Sequence, residues 1–239
     1  MKNEFELKVE NWLTEVADGC HTITTNPEFN MDLDFYPLQS DIYPKPKLLV
    51  IGINPGGGMS YSAKNQVEKR ERRGAHDLKY STNQFIEHFN DKCWSNLKPL
   101  CSLFDGVILG PIFEKAVITN LIYFNSGTFA AFRNQKGYKA GLDFCLKMNL
   151  DLISLIEPQT ILLMGKPVKD IFSRYLDSPL LPILKTDNEK TVLISISSYK
   201  TIPVFWIQHP SAFGINSTFN FGPHQQAKKD FFEGLFSVI

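Results

Sequence analysis

The chain has little that would tie it to a special environment. Its four cysteines, Cys20, Cys93, Cys101 and Cys145, include no pair at C-x-x-C spacing. That excludes a zinc ribbon and a thioredoxin-like redox motif. Their scattered, mostly apolar surroundings suit reduced thiols in a cytoplasmic protein. Charge of one sign is not in excess, since 25 Lys and Arg offset 25 Asp and Glu. A global electrostatic grip on nucleic acid is thereby excluded, and any such role needs a local basic face. No stretch approaches the roughly 18 apolar residues of a membrane span, and MKNEFELKVE lacks the apolar centre of a signal peptide. Internal repeats, low-complexity tracts and linkers are missing too. The expectation is one domain over residues 1–239, a monomer with no membrane partner. A hydrophobic content of 43% is enough for a core of that size.

Periodicity then sets the fold class. Phe5, Val9, Trp12, Leu13 and Val16 fall at helical spacing over 4–17, with Gly19 as the stop. Prolines at 27, 37, 44 and 46 make 20–46 irregular. The aliphatic run in Lys47–Ile53 predicts a strand buried on both faces. A helix over 83–103, a strand over 116–121 and a helix over 140–156 ending before Pro158 follow. Next come a strand at 160–164, a helix opened by Pro167, strands at 192–197 and 204–208, and a last helix near Pro223. Strands alternating with helices predict an α/β fold, a three-layer α/β/α sandwich around a mostly parallel sheet. In such a sheet ligands gather at the carboxyl ends of strands.

GINPGGGMS, residues 52–60, follows the first strand directly. A Walker loop needs a lysine and a hydroxyl residue after its last glycine, but Gly58 and Met59 follow Gly57. A dinucleotide fingerprint starting at Gly56 and Gly58 would need glycine where Tyr61 stands. What remains from the turn alone is a tight bend whose glycines supply positive φ.

Two motifs together say more. GINPG (Gly52, Ile53, Asn54, Pro55, Gly56) after a hydrophobic strand, with HPS (His209, Pro210, Ser211) after a late one, resembles the uracil-DNA glycosylase superfamily. The combination is nearest to the single-strand-selective monofunctional and mismatch-specific branches. AVITN, 116–120, looks like that family's central strand, which ends in a base-reading asparagine, here Asn120. PQTILLMGKPV is similar to its later strand-turn-helix. The resemblance covers roughly residues 45–215.

What the resemblance implies is removal of uracil or a related damaged base from DNA in base excision repair, without a cofactor or metal. The base must be flipped out of the stack, because its sugar carbon is otherwise shielded. Asn54 and His209 are implied as catalytic. A carboxamide is no general base at neutral pH, so Asn54 would orient the water rather than deprotonate it. His209 would donate toward the base O2 as charge develops there. The base-binding set would be Gly52, Ile53, Pro55, Gly56, Tyr80 and Asn120. Asn120 would match the O4 and N3–H edge of uracil. Gly56 stands where other members carry a tyrosine that excludes the thymine methyl, and so leaves room. Tyr80 is the favoured stacking ring, with Phe85 and Tyr61 as other possibilities; Phe85 reads better as core. Pro210, Ser211 and Phe213 would form the wedge segment. Arg72 and Arg73, in the charged stretch 59–82, would contact the DNA backbone.

Each residue also has a plain structural reading. Asn54 could cap its own turn. His209 could bond a backbone carbonyl, Asn120 could be a satisfied buried amide, and Phe213 could be core. The basic residues Lys64, Lys69, Arg70, Arg72, Arg73 and Lys79 could be one solvated helix face. The chain also lacks the cysteine quartet of the iron–sulfur branches, and AFGIN follows HPS in place of a proline-containing form. Two rival functions therefore stand beside the glycosylase: an inactive superfamily member that binds nucleic acid or a nucleotide, and a hydrolase of small nucleoside-like ligands.

Overall fold

Short aliphatic runs bounded by glycine and proline become the strands of a mixed sheet. The computed structural model describes residues 2–90, 98–186, 189–210 and 222–238. The strands are β1 (Leu49–Gly52), β2 (Val117–Asn120), β3 (Ile161–Met164), β4 (Leu181–Lys185), β5 (Val192–Tyr199) and β6 (Ile202–Ile207). They pair in the order β2-β1-β3-β6-β5-β4. β1 pairs parallel with β3, with Val50 opposite Leu162, and β3 pairs parallel with β6. Val117 N donates to Leu48 O, and Leu121 N to Gly52 O. Both partners advance in the same direction, so β2 also runs parallel to β1. β5 and β4 are antiparallel additions. The α/β class is as expected. β1, β2 and β3 are buried along their whole length. Each of their aliphatic side chains contributes about 1.5–3 kcal/mol relative to an exposed position.

β4 was not expected. Leu181-Pro182-Ile183 has a proline and exposed apolar residues, as only an edge strand tolerates, and its pairing with β5 is interrupted by register shifts.

Two of the expected helices form differently, and α2 (Tyr61–Val67), α5 (Leu109–Glu114) and α6 (Phe129–Arg133) were not expected. α1 runs Glu4–Thr25, straight through Gly19. Asn3 and Glu6 close a capping box at its start. Gly19 is a contact glycine rather than a stop: a Cβ there would lie 2.2 Å from the Phe144 ring. Phe144 belongs to α7 (Tyr138–Ile156), which packs along α1 and accepts a bond from Trp12 Nε1 at Met148 O, 3.0 Å. The expected helix over 83–103 does not form as one piece. Asn83 caps α3 (Gln84–Glu87), which buries Phe85 alone; α4 (Lys98–Leu103) follows, and 91–97 lie outside the described residues. The remaining helices are α2 (Tyr61–Val67), α5 (Leu109–Glu114), α6 (Phe129–Arg133), α8 (Lys166–Phe172) and α9 (Pro223–Phe236).

By contact density the chain forms two compact units. One comprises Met1–Pro44, Gly52–Ser81 and Ile118–Glu157; the other Lys45–Ile51, Thr82–Val117 and Pro158–Ile239. In the first unit, the irregular stretch before β1 lies along β2. Phe35 bridges to Phe124 and Leu38 to Thr119, and both side chains are fully buried. The stretch thereby satisfies backbone groups that β2 would otherwise present at a bare edge.

Candidate functional site

Beyond β1 the chain leaves the sheet through Ile53, Asn54 and Pro55, all half-buried. The ladder persists past both strand ends: Leu121 N donates to Gly52 O at 2.8 Å and Ile122 N to Ile53 O at 2.9 Å. The turn after β1 and the turn after β2 are thus held side by side.

Asn54 does not cap its own turn. Its Nδ2 donates to Ser126 O at 2.6 Å and lies 3.3 Å from Ser126 Oγ. Ser126 Oγ in turn donates to Thr128 O at 3.0 Å. With its amino end committed to Ser126, the amide presents Oδ1, an acceptor, as its remaining polar atom.

The three glycines serve different ends. Gly56 has φ +88°, and a Cβ there would meet nothing within 4 Å, so the space beside it is open. Gly58 is instead a place of close approach, and Gly57 makes only ordinary contact. A Cβ on Gly57 would sit 3.5 Å from Gly127 Cα, and one on Gly58 only 2.9 Å from Asn125 Nδ2. The reading that all three supply positive φ holds for Gly56 alone. Beyond the loop, Ser60 caps α2, and Asp32 accepts from Ser62 N and Oγ at 2.8 and 2.6 Å.

Asn120 ends β2 and is 6% exposed. Its Nδ2 is buried and has no hydrogen-bond partner among the described residues, so the reading of a satisfied amide fails. Asn125 is 8% exposed, and its Oδ1 is likewise buried and without a partner among the described residues. Such groups are uncommon in folded chains and call for an explanation. The backbone that carries Asn120 is fixed from below. Asn149 of α7 donates through Nδ2 to Asn120 O (3.1 Å), Leu121 O (3.3 Å) and Cys145 O (2.8 Å), and its Oδ1 accepts from Thr119 Oγ1 (3.3 Å). Asn125, Ser126 and Asn149 were not foreseen. The signal available was a polar N-S-G turn two dozen residues before an asparagine on an otherwise apolar helix face.

Arg73 is corrected. It is 2% exposed and donates to Asp34 Oδ2 (3.0 Å), Tyr36 OH (2.8 Å) and Phe35 O (3.2 Å), with its guanidinium 4.0 Å from the Tyr36 ring centre. A side chain so enclosed cannot reach a DNA phosphate; it is an internal tie. Burial holds the Asp34 carboxyl above its ordinary range, against the pull of Arg73. Arg72 is exposed and pairs with Asp18 at 3.0 Å. Lys64 pairs with Glu68, and Arg70 with Glu68 and Asp77. The basic residues of 59–82 are therefore largely neutralised by the unit's own acids. Tyr80 is half-buried; burial, with Tyr36 nearby, pushes its phenol up to about 12. Tyr61 is not available for stacking on a base. It is buried against Phe35, and its OH meets His21 Nδ1 (2.9 Å) and Arg73 N (3.1 Å). Phe85 is core, as expected.

Compared with known proteins, the sequence matches no family model and no curated protein. Among the described residues no helix is long and apolar enough to cross a membrane.

In the second unit, β6 lies beside β3, and Gly165 N donates to Ile207 O at 2.9 Å. His209 follows β6 and is half-buried, and Pro210 is buried. Burial pushes the imidazole down to about 4, so the ring is neutral at pH 7. Ser211 and Phe213 lie outside the described residues.

Proposed function

We propose that this chain is a monofunctional DNA glycosylase that hydrolyses the N-glycosidic bond of uracil, or of a related damaged base, flipped out of DNA. The observation that carries the reading is the state of the two strand-end amides. Asn54 is turned by Ser126 so that an acceptor remains, and Asn120 keeps a buried donor without a partner among the described residues.

Asn54 Oδ1 accepts a hydrogen bond from water and orients the water's lone pair toward the sugar C1′. The bond from C1′ to the base nitrogen breaks, and its electron pair leaves with the base. Water adds to C1′ and gives up a proton to solvent while the base anion takes one up, leaving an abasic sugar and the neutral free base. No group at Asn54 takes that proton at neutral pH, so the reaction depends on stabilising the departing base. Asn120 Nδ2 donates to a base carbonyl. His209, which the sequence motif marks as a donor toward the base O2, has a pKa low enough to keep its ring neutral over the physiological range. Gly56 leaves space for a 5-substituent.

The test uses single- and double-stranded oligonucleotides carrying one uracil, with alkaline cleavage of abasic sites as readout. The expected result is strand cleavage that Asn54→Ala and His209→Ala each reduce at least a hundredfold. Tight binding without product would support an inactive DNA-binding member instead. Release from free nucleosides but not from DNA would support a nucleoside hydrolase.

A further inference from the structure

Of the three buried amides with unmet polarity, Asn120, Asn125 and Gln225, the first two have opposite needs. Asn120 lacks an acceptor for Nδ2, and Asn125 lacks a donor for Oδ1. Both belong to β2 and the turn after it, and both are more than nine-tenths buried. Asn125 touches the glycine loop at Gly58, and its neighbour Ser126 holds Asn54. Its own backbone is pinned by a 2.7 Å bond from Asn125 N to Asp34 O. The residue is 8% exposed, so solvent does not answer its carbonyl oxygen. A side chain at position 58 would crowd Asn125, since a Cβ there would lie 2.9 Å from its Nδ2, and the position is glycine.

We infer that Asn125 is a second base-reading residue, the acceptor for a ring N–H, working beside Asn120 as donor to the adjacent C=O. Together they match a lactam edge, –C(=O)–NH–. That edge is presented by uracil and thymine through O4 and N3–H, and by hypoxanthine and guanine through O6 and N1–H. Cytosine and adenine present an amino group and a bare ring nitrogen at the same places, so both contacts turn repulsive. The pair would thus discriminate twice, where a single amide discriminates once. The inference rests on the reading of this cluster as a base site. It adds a residue, and a rule for which bases are accepted.

The experiment measures equilibrium binding of free nucleobases to the full chain by titration calorimetry, with uracil, 3-methyluracil and cytosine as probes. 3-Methyluracil keeps both carbonyls but has lost the N–H. The wild type is expected to bind uracil ten- to a hundredfold more tightly than either of the others, the range expected when a buried polar group loses its partner. Asn125→Ala and the near-isosteric Asn125→Leu are expected to bind uracil and 3-methyluracil equally. Asn125→Leu should also melt at or above the wild-type temperature, because it removes an unanswered buried oxygen.

The inference is overturned if the variants keep the uracil preference, if no nucleobase binds, or if Asn125→Leu loses binding and stability together. The oligonucleotide assay separates this failure from that of the enzyme reading. Release of uracil that ignores Asn125 would keep the glycosylase and remove the second reader. Asn125-dependent binding without base release would do the reverse.

Discussion

Arg73 offers a direct test of how the charged stretch is used. Replace it with methionine, which fills similar space without charge. Asp34, itself 2% exposed, would then lose its guanidinium partner, and Tyr36 OH and Phe35 O would lose their donors. Removing one member of a buried ion pair typically costs about 3–5 kcal/mol, since the other is left charged or must take up a proton. For a chain of this size each kcal/mol lowers the melting temperature by about 2–4 °C, so a fall on the order of 10 °C is expected. Asp34→Leu should do as much damage by stranding Arg73. The double variant should recover at least half of the loss, because a buried pair is offset by the desolvation of both charges. Urea denaturation of the four proteins gives the coupling energy. A phosphate-binding Arg73 would behave otherwise: the methionine variant would keep its stability within ~1 kcal/mol and lose DNA affinity and salt dependence. That outcome would refute the internal-tie reading.

Three further outcomes are expected. His209 is held neutral, with its pKa about 4 in the folded chain against 6.5 ordinarily. The unfolded chain therefore binds the proton first, and stability is lost as pH falls from 6.5 toward 4. The full shift corresponds to roughly 3 kcal/mol, less where solvent screens the ring. His209→Gln should flatten that limb of a stability-against-pH curve, and base release by the wild type should persist to about pH 5. Asn149→Leu leaves Asn120 O and Leu121 O without their shared donor, and should lower stability by about 2–4 kcal/mol in chemical denaturation. Gly19→Ala places a methyl group against the Phe144 ring; the expected net loss is about 1 kcal/mol, since better helix propensity offsets part of the clash, and Phe144→Leu in the same chain should restore it.

Much of the framework was legible because it rests on local pattern. Four consecutive branched aliphatics before Gly52 can only be a strand covered on both faces, and β1 is buried throughout. Pro158 and Pro167 bounded α7 and α8 correctly, because a missing N–H and a fixed φ act over one or two residues. Asn54 and Asn120 were legible as residues at strand ends, where ligand-facing side chains collect. What the residue sequence determined, then, was the sheet without its β4 edge, its parallel core and the presence of amides at its carboxyl ends.

Tertiary packing decided the rest. Gly19 reads locally as a helix stop, yet it is there because Phe144, 125 positions away, needs the space. Arg73 reads as one of a basic run, yet it is drawn inside by Asp34, Tyr36 and Phe35 from a distant stretch. Asn54 could have served its own turn, and only the proximity of Ser126 commits its amino end elsewhere. Asn125 carries no local mark beyond its polar N-S-G turn; its meaning comes from being buried without an answering donor among the described residues. Charge pairing, close contact and unmet hydrogen bonds are relations between residues far apart in the chain, so a linear pattern cannot encode which of them will meet.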